Sequence, residues 1–384
     1  MVKKSQNLKV LHIITSMNTG GAEAMALKLL KALKPSVNSC VVVLMERGTL
    51  SEQLDALNIP SHYLGIKKGK LPSLGAVKNL CRYAKEFRPD VVQGWMYHGN
   101  IAASLTKIVL NPQPALIWNI RQTLNEKKPE KGLTGFLIKI SARLSKMPTQ
   151  IVYNSSLSAI QHEIIGYRKN ASVVVPNGFD LQLFKPNFQK RREVRSELGI
   201  SPAVKLIGHV ARHHPMKDHI NFLSAAKKVS DKQDDVCFVL AGHKLDSGNK
   251  EIMEFIRELK LEEHIILLGE CADTARIMSS FDVFVSSSAW GEGFPNVVGE
   301  AMASGVPCVV TDVGASSYVV GEFGIVVPPA NSVALADAVL EMLAHSPEAY
   351  AHKAEEGRKR MAAQFSIEQV AASYFTLYRN AVIS

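Results

Sequence analysis

The chain has 384 residues, 46% of them hydrophobic and 21% charged: too long for one ordinary core, about right for two domains, and too apolar for a long disordered tail. Lys and Arg number 45 against 35 Asp and Glu, a net charge of +10, yet residues 1–150 hold 22 of the basic and only 8 of the acidic residues. The surplus therefore sits in the first half and predicts an anionic partner there: nucleic acid, a membrane surface or a phosphorylated substrate.

In chain order, Val10–Thr15 is a first strand. Its apolar core, about five residues interrupted by His12, is shorter than the roughly 7–15 of a secretory signal. It ends at Asn18-Thr19-Gly20-Gly21, after which Ala22–Leu33 repeats apolar residues at helical spacing. Cys40–Met45 and Asp90–Gln93 follow as strands, with a helix around Val77–Phe87 between them. Leu116–Ile120, Ile151–Asn154 and Ser172–Val175 complete a first set. A second set comprises Leu206–Val210, Val236–Ala241, Ile265–Leu268, Val283–Ser286, Cys308–Thr311 and Gly324–Val327. Helical stretches at Ile220–Ser230, Lys250–Leu259, Val297–Ala303 and Ser332–Ala344 separate its strands. The Val- and Ile-rich runs are apolar on both faces, as strands covered by helices are. Two alternating sets predict an α/β fold of two doubly wound, Rossmann-like domains.

Pro176-Asn-Gly178-Phe-Asp180, with Pro186 and Lys190-Arg-Arg192 beyond it, has the chemistry of a turn and linker. The expected domains are 1–180 and 181–365. A last segment, 366–384, carries the helix Ile367–Ala381, expected to pack back on the first domain with Tyr374, Phe375 and Tyr378 to one side. No run approaches the 18 apolar residues of a membrane span. Cys40, Cys81, Cys237, Cys271 and Cys308 are scattered, without a Cys-x-x-Cys pair, and read as reduced thiols of a cytosolic protein.

Three local patterns carry chemistry. In Gly291-Glu292-Gly-Phe294-Pro-Asn296-Val297-Val-Gly-Glu300, two glutamates flank a turn that opens a helix. Both can reach a ligand resting on the helix N-terminus, where the amides of Phe294, Asn296 and Val297 and the helix dipole favour an anion. An ordinary capped helix with solvent-facing glutamates is the alternative. In Gly208-His-Val-Ala-Arg212-His-His-Pro-Met-Lys217-Asp218, a forked donor and a point charge five residues apart suit a diphosphate; two solvated surface cations would give the same pattern. His209, His213, His214 and His219 crowd this segment. With no cysteine, one acid and two of the histidines adjacent, no metal site is expected. Gly20-Gly21-Ala-Glu23 follows the first strand, where glycines admit a ligand close to the backbone or simply make a tight turn. It is not the Gly-x-Gly-x-x-Gly of dinucleotide binding.

Together these patterns resemble glycosyltransferase family 4, the retaining nucleotide-sugar transferases of GT-B fold, along essentially the whole chain. The resemblance rests on Gly20-Gly21-Ala-Glu23, on Val175-Pro-Asn-Gly-Phe-Asp180 with Phe184 and Pro186, on Gly208…Arg212…Lys217, on Glu292…Glu300, and on Thr311-Asp-Val-Gly314…Gly324-Ile-Val-Val-Pro328. It implies two Rossmann-like domains facing a cleft, with the donor held by the second. Arg212 and Lys217 would hold the diphosphate and stabilise the charge on the leaving nucleotide. Glu292 would contact donor-sugar hydroxyls, and Glu300 the ribose. Gly20 and Gly21 would lie beneath the phosphates, next to the acceptor. The family implies no metal and no cofactor beyond the nucleotide sugar. Backbone groups near Gly242 and Glu270-Cys271 would read the base, with UDP favoured over GDP.

One departure stands out. Where the family carries a His-x-His pair after the Pro89-Asp-Val-Val strand, the chain reads Gln93-Gly-Trp95-Met-Tyr97-His98. Tryptophan replaces the histidine that reaches the donor sugar, and His98 is the candidate to supply that contact. Tyr318 stands where relatives often place a glutamate.

For the basic half, Lys131–Lys146 reads as an amphipathic helix with Leu133, Phe136, Leu137, Ile140 and Leu144 on one face and Lys139, Arg143 and Lys146 on the other. Such a helix suits peripheral contact with anionic lipid; a helix packed on the sheet with a solvated basic face is the alternative. Lys67-Lys68-Gly-Lys70 and Lys127-Lys128 add to the charge. Nucleic acid is not expected, because no zinc spacing, recognition helix or interleaving of aromatic and basic residues is present. The expectation is a retaining hexosyltransferase, cytoplasmic or peripheral on the inner face of the cytoplasmic membrane, moving a sugar from a UDP-sugar to a lipid-linked or growing surface polysaccharide. A non-catalytic nucleotide-sugar-binding subunit and a GT-B UDP-sugar epimerase are the alternatives.

Overall fold

The structure is a computed structural model that describes residues 8–67, 69–124 and 132–383. The chain divides into two compact units, Met1–Gly178 with Ile367–Ser384, and Phe179–Ser366.

The first unit is built on a seven-stranded parallel sheet: β1 (Leu8–Ile14), β2 (Val37–Val43), β3 (Ser61–Tyr63), β4 (Val91–Trp95), β5 (Ala115–Ile120), β6 (Gln150–Tyr153) and β7 (Ser172–Val174). Their order is β3-β2-β1-β4-β5-β6-β7. Alternate residues of each strand feed opposite cores. On β1, Val10 and Ile14 join the helices Gly21–Leu33 and Ile367–Ile383. Leu11 and Ile13 join the layer formed by Leu74–Phe87, Met96–Val109, Gly132–Leu144 and Ser156–Ile164. The final helix, Ile367–Ile383, buries Ile367, Val370, Ala371, Tyr374, Leu377, Tyr378 and Ala381, a helical stripe. Tyr374 and Tyr378 are inaccessible, whereas Phe375 only packs at the margin of that core.

The second unit holds β8 (Lys205–Val210), β9 (Val236–Ala241), β10 (Ile265–Gly269), β11 (Val283–Ser286), β12 (Cys308–Thr311) and β13 (Ile325–Val327). They form a parallel sheet in the order β10-β9-β8-β11-β12-β13. Helices His219–Ser230, Lys250–Glu258 and Ser332–Leu343 cover one face. Asn296–Ala303 and the end of Pro347–Phe365 cover the other. Asp282, just before β11, pairs with Arg191 (2.7 Å) and Arg195 (3.1 Å) and so ties helix Phe188–Glu197 to the sheet.

Both sheets reverse their strand order once, between β1 and β4 and between β8 and β11. At such switch points the loops leaving the carboxyl ends of adjacent strands splay apart, which is where doubly wound folds take ligands. Of the thiols, Cys40, Cys237 and Cys308 are buried, and Cys81 and Cys271 partly exposed; all five are free.

One expectation is corrected. Lys131 lies outside the described residues, as do Lys68, Lys127 and Lys128, and the helix runs Gly132–Leu144. It turns Ile138 and Ser141 inward and leaves Leu133 (42% exposed) and Phe136 (60%) accessible, so the expected division into an apolar and a basic face does not hold at Phe136. The spacing 132, 136, 139, 143 brings Phe136 onto the outward side with Lys139 and Arg143, because residues three and four apart share a helix face. Among the described residues no helix is long and apolar enough to cross a membrane.

Candidate active site

The second unit's switch point gathers most of the residues singled out above. Arg212 and Lys217 lie on the loop after β8, and Glu292 on the loop after the neighbouring β11. Each loop is held at its neck. A Cβ on Gly242, at the end of β9, would overlap the Ala211 carbonyl oxygen, and one on Gly314, after β12, would overlap that of Glu292; both glycines have positive φ, 147° and 63°. Glycine alone permits these approaches without strain.

Between the necks the loops are sutured together. The Ala289 amide donates to the Met216 carbonyl (2.8 Å). Lys217 Nζ pairs with Glu292 Oε1, and Ser288 Oγ donates to the same oxygen at 2.6 Å. The two charged side chains are mostly buried, 15% and 9% exposed, so removing either one would strand the other charge away from water. Glu292 Oε2 takes part in neither bond. Arg212 is exposed.

Helix Asn296–Ala303 begins beside Glu292 with Pro295 at its N-cap and no side-chain cap. The first amides of a helix have no intrahelical acceptor, so this terminus can offer donors to an anion. Asn296, Val297 and Glu300 are partly exposed there. Phe294 is not: its ring is 6% exposed and meets Phe179 and Phe365 in the core, so its backbone alone can serve a ligand. Gly208 is inside β8, and its missing side chain makes room for the ring of Phe281.

The crowded histidines are divided by burial. His209 is buried, and desolvation holds its pKa well below the usual value. His219 is lowered to about 4, chiefly by burial. Among the described residues no three His, Cys, Asp or Glu gather as a metal set would.

In the first unit, Gly20-Gly21 and His98 follow β1 and β4, adjacent strands with Ile14 opposite Trp95. A Cβ at Gly20 would meet the Glu23 carboxylate, to which Ser16 Oγ donates at 3.0 Å. His98 is half-buried in the first turn of helix Met96–Val109, and desolvation lowers its pKa, which favours the neutral ring. Trp95 is buried and donates its indole N–H to His12 Nδ1 (3.3 Å). The tryptophan that takes the histidine's place therefore belongs to the core.

Pattern reasoning missed Arg121. Its guanidinium, 8% exposed, donates to the carbonyls of Val175 (2.9 Å) and Pro176 (3.2 Å), to Asn177 Oδ1 (2.6 Å) and to the Tyr374 hydroxyl (3.2 Å). It clamps the segment by which the chain leaves the first unit to the helix formed when it returns. These four partners lie more than 50 residues away in sequence, so no local spacing announces it.

Two family models match this chain, "Glycosyltransferase Family 4" over residues 19–183 and "Glycosyl transferases group 1" over residues 204–345. The chain thus carries a glycosyltransferase family 4 domain followed by a glycosyl transferases group 1 domain. EpsF of Bacillus subtilis (strain 168), named a glycosyltransferase, is 28% identical to it over 316 residues, 80% of each chain. The UDP-Gal:alpha-D-GlcNAc-diphosphoundecaprenol alpha-1,3-galactosyltransferase of Escherichia coli is 23% identical over 337 residues, 83% of each. Among solved structures, Anabaena HepE in complex with UDP-glucose superposes with a TM-score of 0.82 at 22% identity, covering 96% of this chain and 99% of HepE. The sucrose-phosphate synthase of Thermosynechococcus elongatus does so with a TM-score of 0.78 at 17% identity, covering 97% and 98%. The transferase thus has the GT-B fold, two Rossmann-like units, and its relatives include enzymes named for lipopolysaccharide core and capsular polysaccharide biosynthesis.

Proposed function

We propose that this glycosyltransferase moves a hexosyl group from a UDP-sugar to a lipid-linked or growing surface-polysaccharide acceptor, with retention of configuration and without a metal ion. The union of Lys217, Arg212, Glu292 and an uncapped helix start on adjacent loops carries the reading. Arg212 and Lys217 bind the diphosphate and stabilise the charge that builds on it as the glycosidic bond breaks, where fixed donors act most strongly. Two cations in place do the work a divalent ion does elsewhere. Glu292 Oε2, outside the lysine pair, accepts from donor-sugar hydroxyls; Glu300 accepts from the ribose. The amides of Phe294, Asn296 and Val297 add donors, and backbone groups near Gly242 read the base. Gly20, Gly21 and His98 serve the acceptor side and the donor sugar.

The likeness to HepE, solved with UDP-glucose, supports the uridine base. The Escherichia coli relative, whose name specifies a diphosphoundecaprenol-linked acceptor, supports the acceptor class. A thermal-shift panel of UDP-, GDP- and ADP-sugars tests the donor. A ligand at 100 times its Kd adds about 2.7 kcal/mol, which is about 5–10 °C for a unit of this size. UDP-sugars are expected to give that shift and the others none; a panel without any shift overturns the donor assignment.

The outward Leu133 and Phe136 beside Lys139, Arg143 and Lys146 support contact of the first unit with an anionic membrane. Each basic side chain contributes about 1 kcal/mol near such a surface. The triple variant K139Q/R143Q/K146Q is therefore expected to sediment with phosphatidylglycerol vesicles about 100-fold less than wild type. Equal sedimentation of the two, or none by wild type even at low salt, removes the membrane from the proposal.

A further inference from the structure

The spacing between two phosphate-binding cations depends on the backbone that carries them, and here that backbone is held from beneath by two buried side chains. His219, the first residue of helix His219–Ser230 and 4% exposed, places Nε2 3.1 Å from the Arg212 carbonyl oxygen. Ser287, inaccessible just after β11, donates its hydroxyl to the Lys217 carbonyl oxygen at 2.8 Å and shares it with that of Asp218 at 3.2 Å. Each proposed cation thus has its own peptide carbonyl fixed by a donor from a different element. Between them, the His213 amide donates to the His243 carbonyl (2.8 Å), and Pro215–Lys217 closes a 3-10 turn.

The chemistry assigns the proton. A neutral imidazole has one N–H; the Arg212 carbonyl accepts only, so that N–H is on Nε2. Burial lowers the pKa of His219 to about 4, which keeps the ring neutral at pH 7. The anchor is then a fixed donor under neutral conditions, and it adds no charge beneath a site that must release an anion. The nearby rings agree with this. His209 meets His219 edge-on at 5.0 Å, and His213 stacks on it at 5.5 Å, which leaves the ring little freedom to turn.

We infer that His219 and Ser287 are positioning residues that set the separation of the Arg212 and Lys217 side chains, and through it the preference of the site for a diphosphate over a monophosphate. The inference rests on the assignment of Arg212 and Lys217 to the donor diphosphate. It adds a specificity device to that site: the two phosphates are measured by two carbonyl anchors, one at each end of the loop. A loop freed at either anchor still bears both cations but no longer holds them at one spacing. A single phosphate loses little by that, and a diphosphate loses the simultaneous contact.

Calorimetric titration of UDP and UMP into wild type, His219→Leu, His219→Gln and Ser287→Ala tests it. Glutamine can present an Nε2 donor where histidine does, and leucine cannot. His219→Leu and Ser287→Ala are each expected to weaken UDP about tenfold, the equivalent of one hydrogen bond to the loop, and UMP less than threefold. His219→Gln is expected to restore most of the UDP affinity. Equal weakening of UDP and UMP, or unchanged UDP affinity in both Ser287→Ala and His219→Gln alongside an equally unaffected His219→Leu, overturns the positioning role. Should His219→Leu fail to fold, Ser287→Ala still decides through its UDP-to-UMP ratio. Failure of wild type to bind UDP at all is a different result and overturns the diphosphate site itself.

Discussion

Replacing Lys217 by alanine is expected to lower kcat/KM for the donor by about 10²–10³, the usual consequence of removing one fixed donor from a developing negative charge. Arg212→Ala is expected to fall in the same range, but the two variants part on stability. The Lys217 side chain is 15% exposed and pairs with a Glu292 carboxylate that is 9% exposed. Its loss leaves a nearly enclosed carboxylate that still accepts from the Ser288 hydroxyl. The stability cost is below the ~3–5 kcal/mol of a fully enclosed broken pair, because the Ser288 hydroxyl still donates to the carboxylate. Arg212 is exposed, so its removal is expected to leave the melting temperature within about 2 °C of wild type. A double variant, Lys217→Ala with Glu292→Gln, recovers stability by removing the stranded charge but recovers no transfer. Steady-state kinetics and thermal melts of these variants separate the two effects. Transfer within tenfold of wild type in both Arg212→Ala and Lys217→Ala would remove the diphosphate assignment. His98→Ala belongs in the same assay, and undiminished transfer there would take His98 out of the donor-sugar contact.

These roles differ in how far they are legible from the sequence alone. Strands such as Val236–Ala241, Val283–Ser286 and Cys308–Thr311 stand out because both faces are buried and all but the terminal Ser286 and Thr311 are apolar. The strand Ser61–Tyr63 does not, being three half-buried residues at the sheet edge. Helix Met96–Val109 starts directly from the end of β4 through Met96 at φ 60°, with no loop to mark it, and its Gly99-Asn100 reads as a turn. Gly99 is glycine because it lies on the Ile13 carbonyl in β1. Helix Pro347–Phe365 is missed for the opposite reason: it is charged nearly all round and buries only Gly357, Met361 and Phe365.

The same division runs through the site. Arg212, Lys217, Glu292 and Glu300 are detectable because each pair is close in sequence and sits at a strand or helix end. Ser287 and Ser288 are invisible because a serine acquires its meaning from the acceptor it finds. For Ser287 that acceptor is a carbonyl 70 residues earlier. The tryptophan at position 95 misleads for a related reason. A substitution within a motif invites a search for the lost ligand contact, whereas the indole faces inward to His12 and leaves the ligand side to its neighbours. What a motif preserves is the path of the backbone, and side-chain roles must be read from packing.

Gly314→Ala is the second large effect, and it follows from that path. The turn after β12 passes so close to the Glu292 carbonyl that a methyl group at position 314 would occupy the oxygen's place, and φ there is 63°. An L-residue in this conformation carries about 1–2 kcal/mol of strain before any overlap is counted. The overlap is with main chain, which cannot swing aside as a flexible side chain can. Relief requires moving either the turn or the loop that carries Glu292. Glu292 is tied through Oε1 to Lys217, and through Ala289 the same loop is tied to Met216, so the displacement passes to the end of the β8 loop that carries Lys217. Gly314→Ala is therefore expected to lower the melting temperature by more than about 5 °C, from strain plus forced main-chain movement. It should also abolish UDP-dependent stabilisation even below that melting point. Gly242→Ala makes the same argument at the other neck, where the added methyl meets the Ala211 carbonyl one residue before Arg212. A control at Gly199, which also has positive φ (68°) but nothing within contact distance of a new Cβ, carries the conformational strain alone. Its alanine variant is expected to lose stability and keep UDP binding. If Gly314→Ala binds UDP as Gly199→Ala does, the turn after β12 does not hold the donor loop in place, and the site's geometry must be maintained from the β8 side alone.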